Sequence, residues 1–401
     1  MKPEWEKRKI GQIAEVEYGF TEKARSKGDF RYIRITDISN DGLLTNQEKM
    51  YLNSSKELKS YILKSGDLLM ARTGATFAKV LYFDDKEPAV FASYLIRIKF
   101  LIDILPKLFW YYSKSNQYWE QAKVLSSGAA QPQFNGNALK ELYFIFPKSL
   151  AEQQRIVTIL DQCFAAIDKA KANAEQNLKN AKELFESYLE GVFAKKGEGW
   201  EEKRLGDIAL VFGRGKSKHR PRNWPGLYGG RYPFIQTGDV RNADKFISSF
   251  SQTYNEVGLA QSKLWKKGTI CITIAANIAE TAILDFDACI PDSIIGMELN
   301  KELADINFVY FLLQYFKREL QKLGKGSAQD NINLGTFDNL YFPVPPLKTQ
   351  QAIVNQLDQV RVEIQGLENI YQKKIQDLEE LKKSILEKAF HGELKTDKIS
   401  L

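Results

Sequence analysis

With 401 residues, 44% of them hydrophobic and 27% charged, the chain has an ordinary globular composition and a length beyond one average domain. No apolar run approaches the roughly 18 residues that span a bilayer, and Met1-Lys2-Pro3-Glu4-Trp5 lacks the apolar core of a secretory signal. Cys163, Cys271 and Cys289 form no CxxC pair and are odd in number, which argues against a disulfide framework or zinc site. A cytoplasmic protein without a membrane partner is expected.

The net charge of +7 is modest, and its placement says more than its size. Segments 150–196 and 347–394 together hold 14 basic and 15 acidic residues, so the remainder, with 43 basic and 35 acidic, carries the whole positive excess. Such an excess favours a polyanion, nucleic acid above all.

The chain opens on a segment that it later repeats. Trp5-Glu6-Lys7-Arg8-Lys9-Ile10-Gly11-Gln12-Ile13-Ala14 returns as Trp200-Glu201-Glu202-Lys203-Arg204-Leu205-Gly206-Asp207-Ile208-Ala209. Leu150-Ala151-Glu152-Gln153-Gln154-Arg155-Ile156-Val157 returns as Leu347-Lys348-Thr349-Gln350-Gln351-Ala352-Ile353-Val354. The offsets, 195 and 197 residues, divide the chain into two halves with a common frame.

Between these boundaries lie dissimilar α/β inserts. Short apolar runs bounded by Gly, Asp or Pro predict strands at 33–38, 67–71, 79–83 and 143–146, with counterparts at 234–240, 269–274, 282–286 and 340–344. One amphipathic helix per insert is predicted at 104–114 and 306–322. Pro147, and later Pro345-Pro346, close the inserts and force an extended exit.

Beyond the prolines the pattern is helical throughout. Leu160, Ile167, Ala174, Ala181 and Tyr188 recur every seven residues, and Ile156, Cys163, Ala170, Asn177 and Leu184 fill a second stripe. In the other half the same registers hold Leu357, Ile364, Tyr371, Leu378, Ile385 and Ile353, Val360, Leu367, Lys374, Leu381. The heptad repeat predicts two long coiled-coil helices of about 65–70 Å each, paired antiparallel as a spacer, with Asn177 and Lys374 fixing register in the seam. The alternative, helices packed only on their own domains, fits a period sustained this long less well.

Catalytic equipment is sparse. The two histidines, His219 and His391, neighbour no nucleophile motif. Gly213-Arg214-Gly215-Lys216-Ser217 has Leu210 where a phosphate-binding loop needs Gly, and it supplies no dinucleotide turn. Asp292, Glu298 and Lys301 miss the spacing of a nuclease metal site, and no Asn-Pro-Pro-aromatic or Asp-Pro-Pro-Tyr run is present. No cofactor, metal or catalytic residue is assigned.

Basic loops carry the stronger signal. From 208 to 238 there is no Asp or Glu, while Arg214, Lys216, Lys218, Arg220, Arg222 and Arg231 interleave with His219, Trp224, Tyr228 and Tyr232. Gly- and Pro-rich cationic loops bring guanidinium groups to phosphates and guanine edges, so this stretch is assigned to DNA contact over a merely solvated loop. Its counterpart carries Tyr18, Thr21, Lys23, Arg25 and Lys27, and Arg34 lies nearby. A second loop pair holds Arg72 and Thr73 in one insert and Asn277 in the other; a third holds Ser127, Gln131 and Gln133 against Lys325, Ser327, Gln329 and Asn331. Gln236 completes the candidates, since Gln and Asn suit bidentate reading of adenine. Plain turn chemistry accounts for the second and third loops equally well.

Taken in order, these segments resemble the specificity subunit of type I restriction-modification systems over essentially the whole chain. The likeness rests on the Trp-Glu…Gly-x-Ile-Ala openings, on Gly66-Asp67-Leu68-Leu69-Met70-Ala71-Arg72-Thr73-Gly74 and on Ala130-Gln131-Pro132-Gln133-Phe134-Asn135. It extends to the Leu-x-x-Gln-Gln-x-Ile-Val helix entries and to the ends Leu189-Glu190-Gly191-Val192-Phe193 and Leu386-Glu387-Lys388-Ala389-Phe390-His391-Gly392. The resemblance implies an α/β fold of two pseudo-symmetric target-recognition domains, 1–148 and 197–346, separated by long helices at 149–196 and 347–394, with a tail at 395–401. It implies a non-catalytic subunit that reads a split target in double-stranded DNA and docks two methyltransferase subunits and, through the complex, restriction subunits. The second insert departs from the pattern: Ile274-Ala275-Ala276-Asn277 replaces the Arg-Thr-Gly of the first. Two other classes stay open at this point, a coiled-coil scaffold with non-DNA partners and a DNA-modifying enzyme that binds S-adenosylmethionine alone.

Overall fold

The computed structural model describes residues 4–126, 133–219, 221–325 and 331–394. The chain separates into two compact units, residues 1–175 with 372–401 and residues 176–371. Each long helix therefore contributes one half to each unit.

In the first unit the repeated boundary segments form a clasp. Trp5–Lys9 pairs antiparallel with Tyr143–Pro147, so the opening Trp-Glu motif and the strand before Pro147 close the insert on itself. Within it, an antiparallel sheet runs Ala14–Tyr18, Leu95–Phe100, Leu68–Ala71, Val80–Tyr82, and a smaller one runs Tyr51–Leu52, Phe30–Ile33, Ala89–Phe91. Leu68–Ala71 is buried at every position, as its unbroken apolar run requires. Helix Pro106–Tyr112 packs Leu108, Phe109 and Tyr112 into the core, where Phe109 meets Phe144 edge-on at 5.1 Å.

The second unit repeats this plan. Glu201–Lys203 clasps Phe342–Val344, a five-stranded sheet contains Ala209–Arg214, Ile294–Leu299, Ile270–Thr273 and Thr281–Leu284, and a four-stranded sheet is centred on Tyr228–Phe234 and Ala288–Cys289. Helix Ile306–Lys325 covers the core. The strand predicted at 234–240 is a difference: its apolar start ends Tyr228–Phe234, and Thr237–Asn242 turns into a helix, where the Asp239 carboxylate accepts from the N–H of the cap residue Gln236 (2.8 Å). Helix Asn116–Leu125 carries only a weak apolar stripe and was not anticipated.

The repeated Gln explains the helix entries. Gln153 is fully buried; its side-chain oxygen accepts from the Leu105 N–H (2.9 Å) and its amide donates to the Asp103 and Pro147 carbonyls (3.0 Å each). Gln350 does the same with the Asp305 N–H (2.8 Å) and the Leu303 and Pro345 carbonyls. In each unit one amide thus ties the insert's helix approach to the proline exit and to the long helix.

The long helices run unbroken over Leu150–Ala194 and Leu347–Phe390. Within the first unit they are antiparallel, with Lys171 paired to Glu379 (2.7 Å) and Lys382 to Asp168 (2.8 Å), and with Leu160, Phe164, Leu386 and Phe390 in one core. Within the second, Leu189 and Phe193 join Ile353, Val354 and Leu357, and the Arg361 guanidinium lies over the Phe185 ring. The first predicted stripe holds except at Tyr188, which is exposed: Leu160, Ile167, Ala174, Ala181, Leu357 and Ile364 are buried and Tyr371, Leu378 and Ile385 are half-buried. Ile156 and Ile353, which open the second stripe, are buried as well. Cys163, Ala170 and Val360 along it are partly buried, and beyond them the stripe is one residue out of register. There Leu178 and Phe185, and likewise Glu368, Ile375 and Lys382, are partly buried, whereas Asn177, Leu184, Leu367, Lys374 and Leu381 are exposed. Asn177 and Lys374 are accordingly surface residues and no polar lock in the seam; the more apolar neighbour, Leu178 or Ile375, takes the inward place because burying it removes apolar surface from water at no cost in charge or amide desolvation.

Candidate nucleic-acid interface

Both inserts present the same backbone frame at the end of their first sheet strand. Gly19 N–H donates to the Leu95 carbonyl, and Gly215 N–H to that of Ile294; the next residues, Phe20 and Lys216, donate to Phe91 and Ile290. A Cβ on either glycine would come within 2.3 Å of a carbonyl oxygen, which is why glycine stands there in both repeats. Across the sheet, Arg72 N–H donates to the Tyr94 carbonyl and Ile274 N–H to that of Ser293. Tyr18 therefore corresponds to Arg214, Arg72 to Ile274, and Tyr94 to Ser293.

On this shared frame the side chains differ completely. In the first unit the Arg72 guanidinium lies between two rings, 5.5 Å from Tyr18 and 5.0 Å from Tyr94, both well exposed. The Tyr18 hydroxyl accepts from the Gly136 N–H (2.8 Å), Thr73 bridges to Gln133, and Phe134 N–H donates to the Arg72 carbonyl. Arg72 Nε is buried without a hydrogen-bond partner, and among the described residues this cation is held by ring faces and its sheet position. The structure thus brings Tyr18, Arg72, Thr73 and Gln133 together. Tyr94 was missed by sequence reasoning; aligning 92–94 with 291–293 across the repeat would have found it.

The other candidates of the first unit fall in two groups. Thr21, Lys23 and Lys27 are exposed, and the Arg25 backbone pairs with Tyr51 at the edge of the smaller sheet. Arg34 is engaged within the fold, on Asp37 (3.2 Å) and the Glu48 carbonyl (3.2 Å). Ser127 and Gln131 lie outside the described residues, as do Arg220, Ser327 and Gln329 of the second unit.

In the second unit the guanidinium groups are tethered. Arg214 donates to the Asp292 carbonyl (2.7 Å), Arg222 to the Asp292 carboxylate (2.6 Å), and Arg231 to Tyr232 (2.8 Å) and Glu256 (3.1 Å). The acid-free run is therefore compensated from distant positions, which local charge counting could not reveal. His219 stacks on Trp224 at 4.8 Å and its backbone N–H donates to Gln261, which stiffens the loop. Lys216 and Lys218 are exposed and form no ion pair among the described residues. Asn277 accepts from Arg241 (3.3 Å), Lys325 ends helix Ile306–Lys325, and Asn331 is exposed just before Ile332, whose N–H donates to Ile274.

Where the first unit has Tyr94, the smaller Ser293 leaves a hollow of about 280 Å³, lined by Asn223, Gln236, Thr237, Gln252 and Arg222 among others. Cys271 and Cys289 are buried, and that burial pushes both thiols upward, which disfavours the thiolate. Among the described residues no group of His, Cys, Asp and Glu side chains could hold a metal ion, and no helix is long and apolar enough to cross a membrane.

Comparison with known proteins places this geometry. Residues 2–179 and 197–378 each match the type I restriction modification DNA specificity domain. The chain is 24% identical to the type I restriction enzyme MjaIX specificity subunit of Methanocaldococcus jannaschii, over 99% of this chain and 95% of that one. It is 23% identical to the EcoBI specificity subunit of Escherichia coli, over 97% and 86%. Two solved structures share the fold. One, from a study of complex assembly and conformational transition of the type I R-M system, superposes with a TM-score of 0.82 at 20% identity, covering 98% of this chain and 99% of that one. The HsdS subunit from Thermoanaerobacter tengcongensis gives 0.62 at 19%, covering 98% of both.

Proposed function

Since the chain belongs to the type I restriction-modification DNA specificity family, both of its repeats matching that domain, we propose that each unit reads one half of a split, asymmetric duplex target. The observation that carries this reading is the pairing of one backbone frame with two unlike reader sets, Tyr18, Arg72 and Tyr94 against Arg214, Ile274 and Ser293. Identical readers would select a repeated half-site; these cannot. The subunit catalyses nothing itself and works in the cytoplasm.

Its partners in this reading are two methyltransferase subunits, docked along the long helices, with restriction subunits joining that core. Exposed apolar side chains on those helices support the docking role: Leu184, Val362, Leu367, Ile370 and Leu381 are all between 40% and 69% exposed. A helix with no partner gains nothing by presenting them to water. The test is selection from randomised duplexes by the chain co-purified with its methyltransferase subunit. Two unlike half-sites at a fixed gap are expected; enrichment of no sequence would overturn the reading.

A further inference from the structure

The hollow of the second unit offers hydrogen-bonding groups that the fold leaves unused. Asn223 and Gln252 are exposed, lie on separate segments and converge on the same 280 Å³ space, with Thr237 and Ser293 beside them. None of these four side chains makes a hydrogen bond among the described residues. A water occupies about 30 Å³ of liquid, so the space holds several waters or the edge of one base. Tyr228 supplies an apolar wall, braced by its hydroxyl on the Arg222 carbonyl at 2.7 Å.

Amide side chains present a donor and an acceptor side by side, the pattern that matches N6 and N7 of adenine, while an apolar wall suits the thymine methyl. Charged guanidinium groups, which favour guanine, are drawn aside here: Arg222 is held by Asp292 at the rim and the position equivalent to Arg72 is Ile274. We propose that Asn223 and Gln252 read the adenine of one A·T pair in the half-site of the second unit. This rests on the DNA-specificity reading above and names the residues and base behind one of its positions.

The test uses the full chain with its methyltransferase subunit and compares duplex selection by the parent, Asn223→Ala, Gln252→Ala and the double variant. Both side chains are exposed, so the fold tolerates their loss, and retention of the first half-site is the internal control. Preference at one A·T position of the second half-site should fall about ten-fold or more, with the first half-site unchanged. Replacing that adenine by 7-deazaadenine should weaken the parent and leave the double variant indifferent. Unchanged preference throughout the second half-site, or relaxation at a G·C pair instead, overturns the assignment. A parent complex that selects no sequence at all is a failure of the underlying reading and is seen before any variant is made.

Discussion

The Arg222 guanidinium donates to the Asp292 carboxylate at 2.6 Å, across 70 positions of sequence. Half of the Arg222 side chain remains exposed, and an exposed pair of this kind is worth about 1 kcal/mol at most, so a DNA phosphate competes with Asp292 on nearly even terms. Asp292→Asn should release the guanidinium, raise non-specific affinity and steepen the log–log salt dependence by about 0.9. Neutralising Lys216 and Lys218 together should flatten it by up to about 1.8. Binding titrations at several salt concentrations read both; slopes unmoved by either change would remove this loop from the interface.

In the first unit, Arg72 is held in place before any ligand arrives by Tyr18 and Tyr94. A planar guanidinium so held matches O6 and N7 of guanine, and lysine cannot reproduce the fork. Arg72→Ala and Arg72→Lys should both cost about 1–3 kcal/mol at one base of the first half-site and leave the second half-site alone. Competition with single-base variants of the target measures this. Uniform weakening across all sequences would instead make Arg72 a phosphate contact.

Much of this architecture was legible because the repeat and the 3.5-residue period are local patterns. Leu160, Ile167, Leu357 and Ile364 fell where the heptads put them. The second stripe was off by one only beyond Ala170 and Val360, because Asn177 and Leu178 are neighbours at equal distance from the first stripe, and only packing decides which points inward. The segment 234–240 misled because its apolar residues serve a strand end, Phe234, and a helix, Val240, in succession. Of the site, Arg72, Thr73 and the basic loop were readable as residue types. Their engagement was not: Asp292 and Glu256, which hold Arg222 and Arg231, lie far along the chain.

Gln153 and Gln350 make the helix entries sensitive to a single amide. Either Gln→Leu change would strand one backbone N–H and two carbonyls in buried surroundings, at a cost of roughly 2–4 kcal/mol. Chemical denaturation of the full chain is the measurement. A loss below about 0.5 kcal/mol, the range of neutral surface changes, would contradict the role.

Lys114 gives the first unit a distinct pH response. Its ammonium sits 3.3 Å from the Trp110 ring centre, which favours charge, but burial and then the nearby Lys382 outweigh this and pull its pKa from 10.5 to about 7. Between those values the unfolded chain binds more protons than the folded one, so this group's contribution to stability rises with pH from about 7 and levels off near 10.5. Lys114→Met should therefore stabilise most below pH 7, with the gain shrinking by up to about 1.4 kcal/mol per unit as pH rises. Denaturation midpoints from pH 6 to 10 test it; a variant-minus-parent difference that ignores pH would sink it.

The central claim is that two unlike readers share one helical spacer, and mapping methylated sites genome-wide, with the methyltransferase subunit present, tests it most directly. The parent should mark an asymmetric, interrupted motif. Four helical residues advance about 6 Å and a base pair about 3.4 Å. Four residues inserted beside Asn177, with the matching deletion and a phase-preserving insertion of seven as controls, should therefore lengthen the gap by one or two base pairs and leave the half-site bases unchanged. A symmetric motif in the parent, or an unchanged gap with altered bases in the insertion variants, would contradict the account.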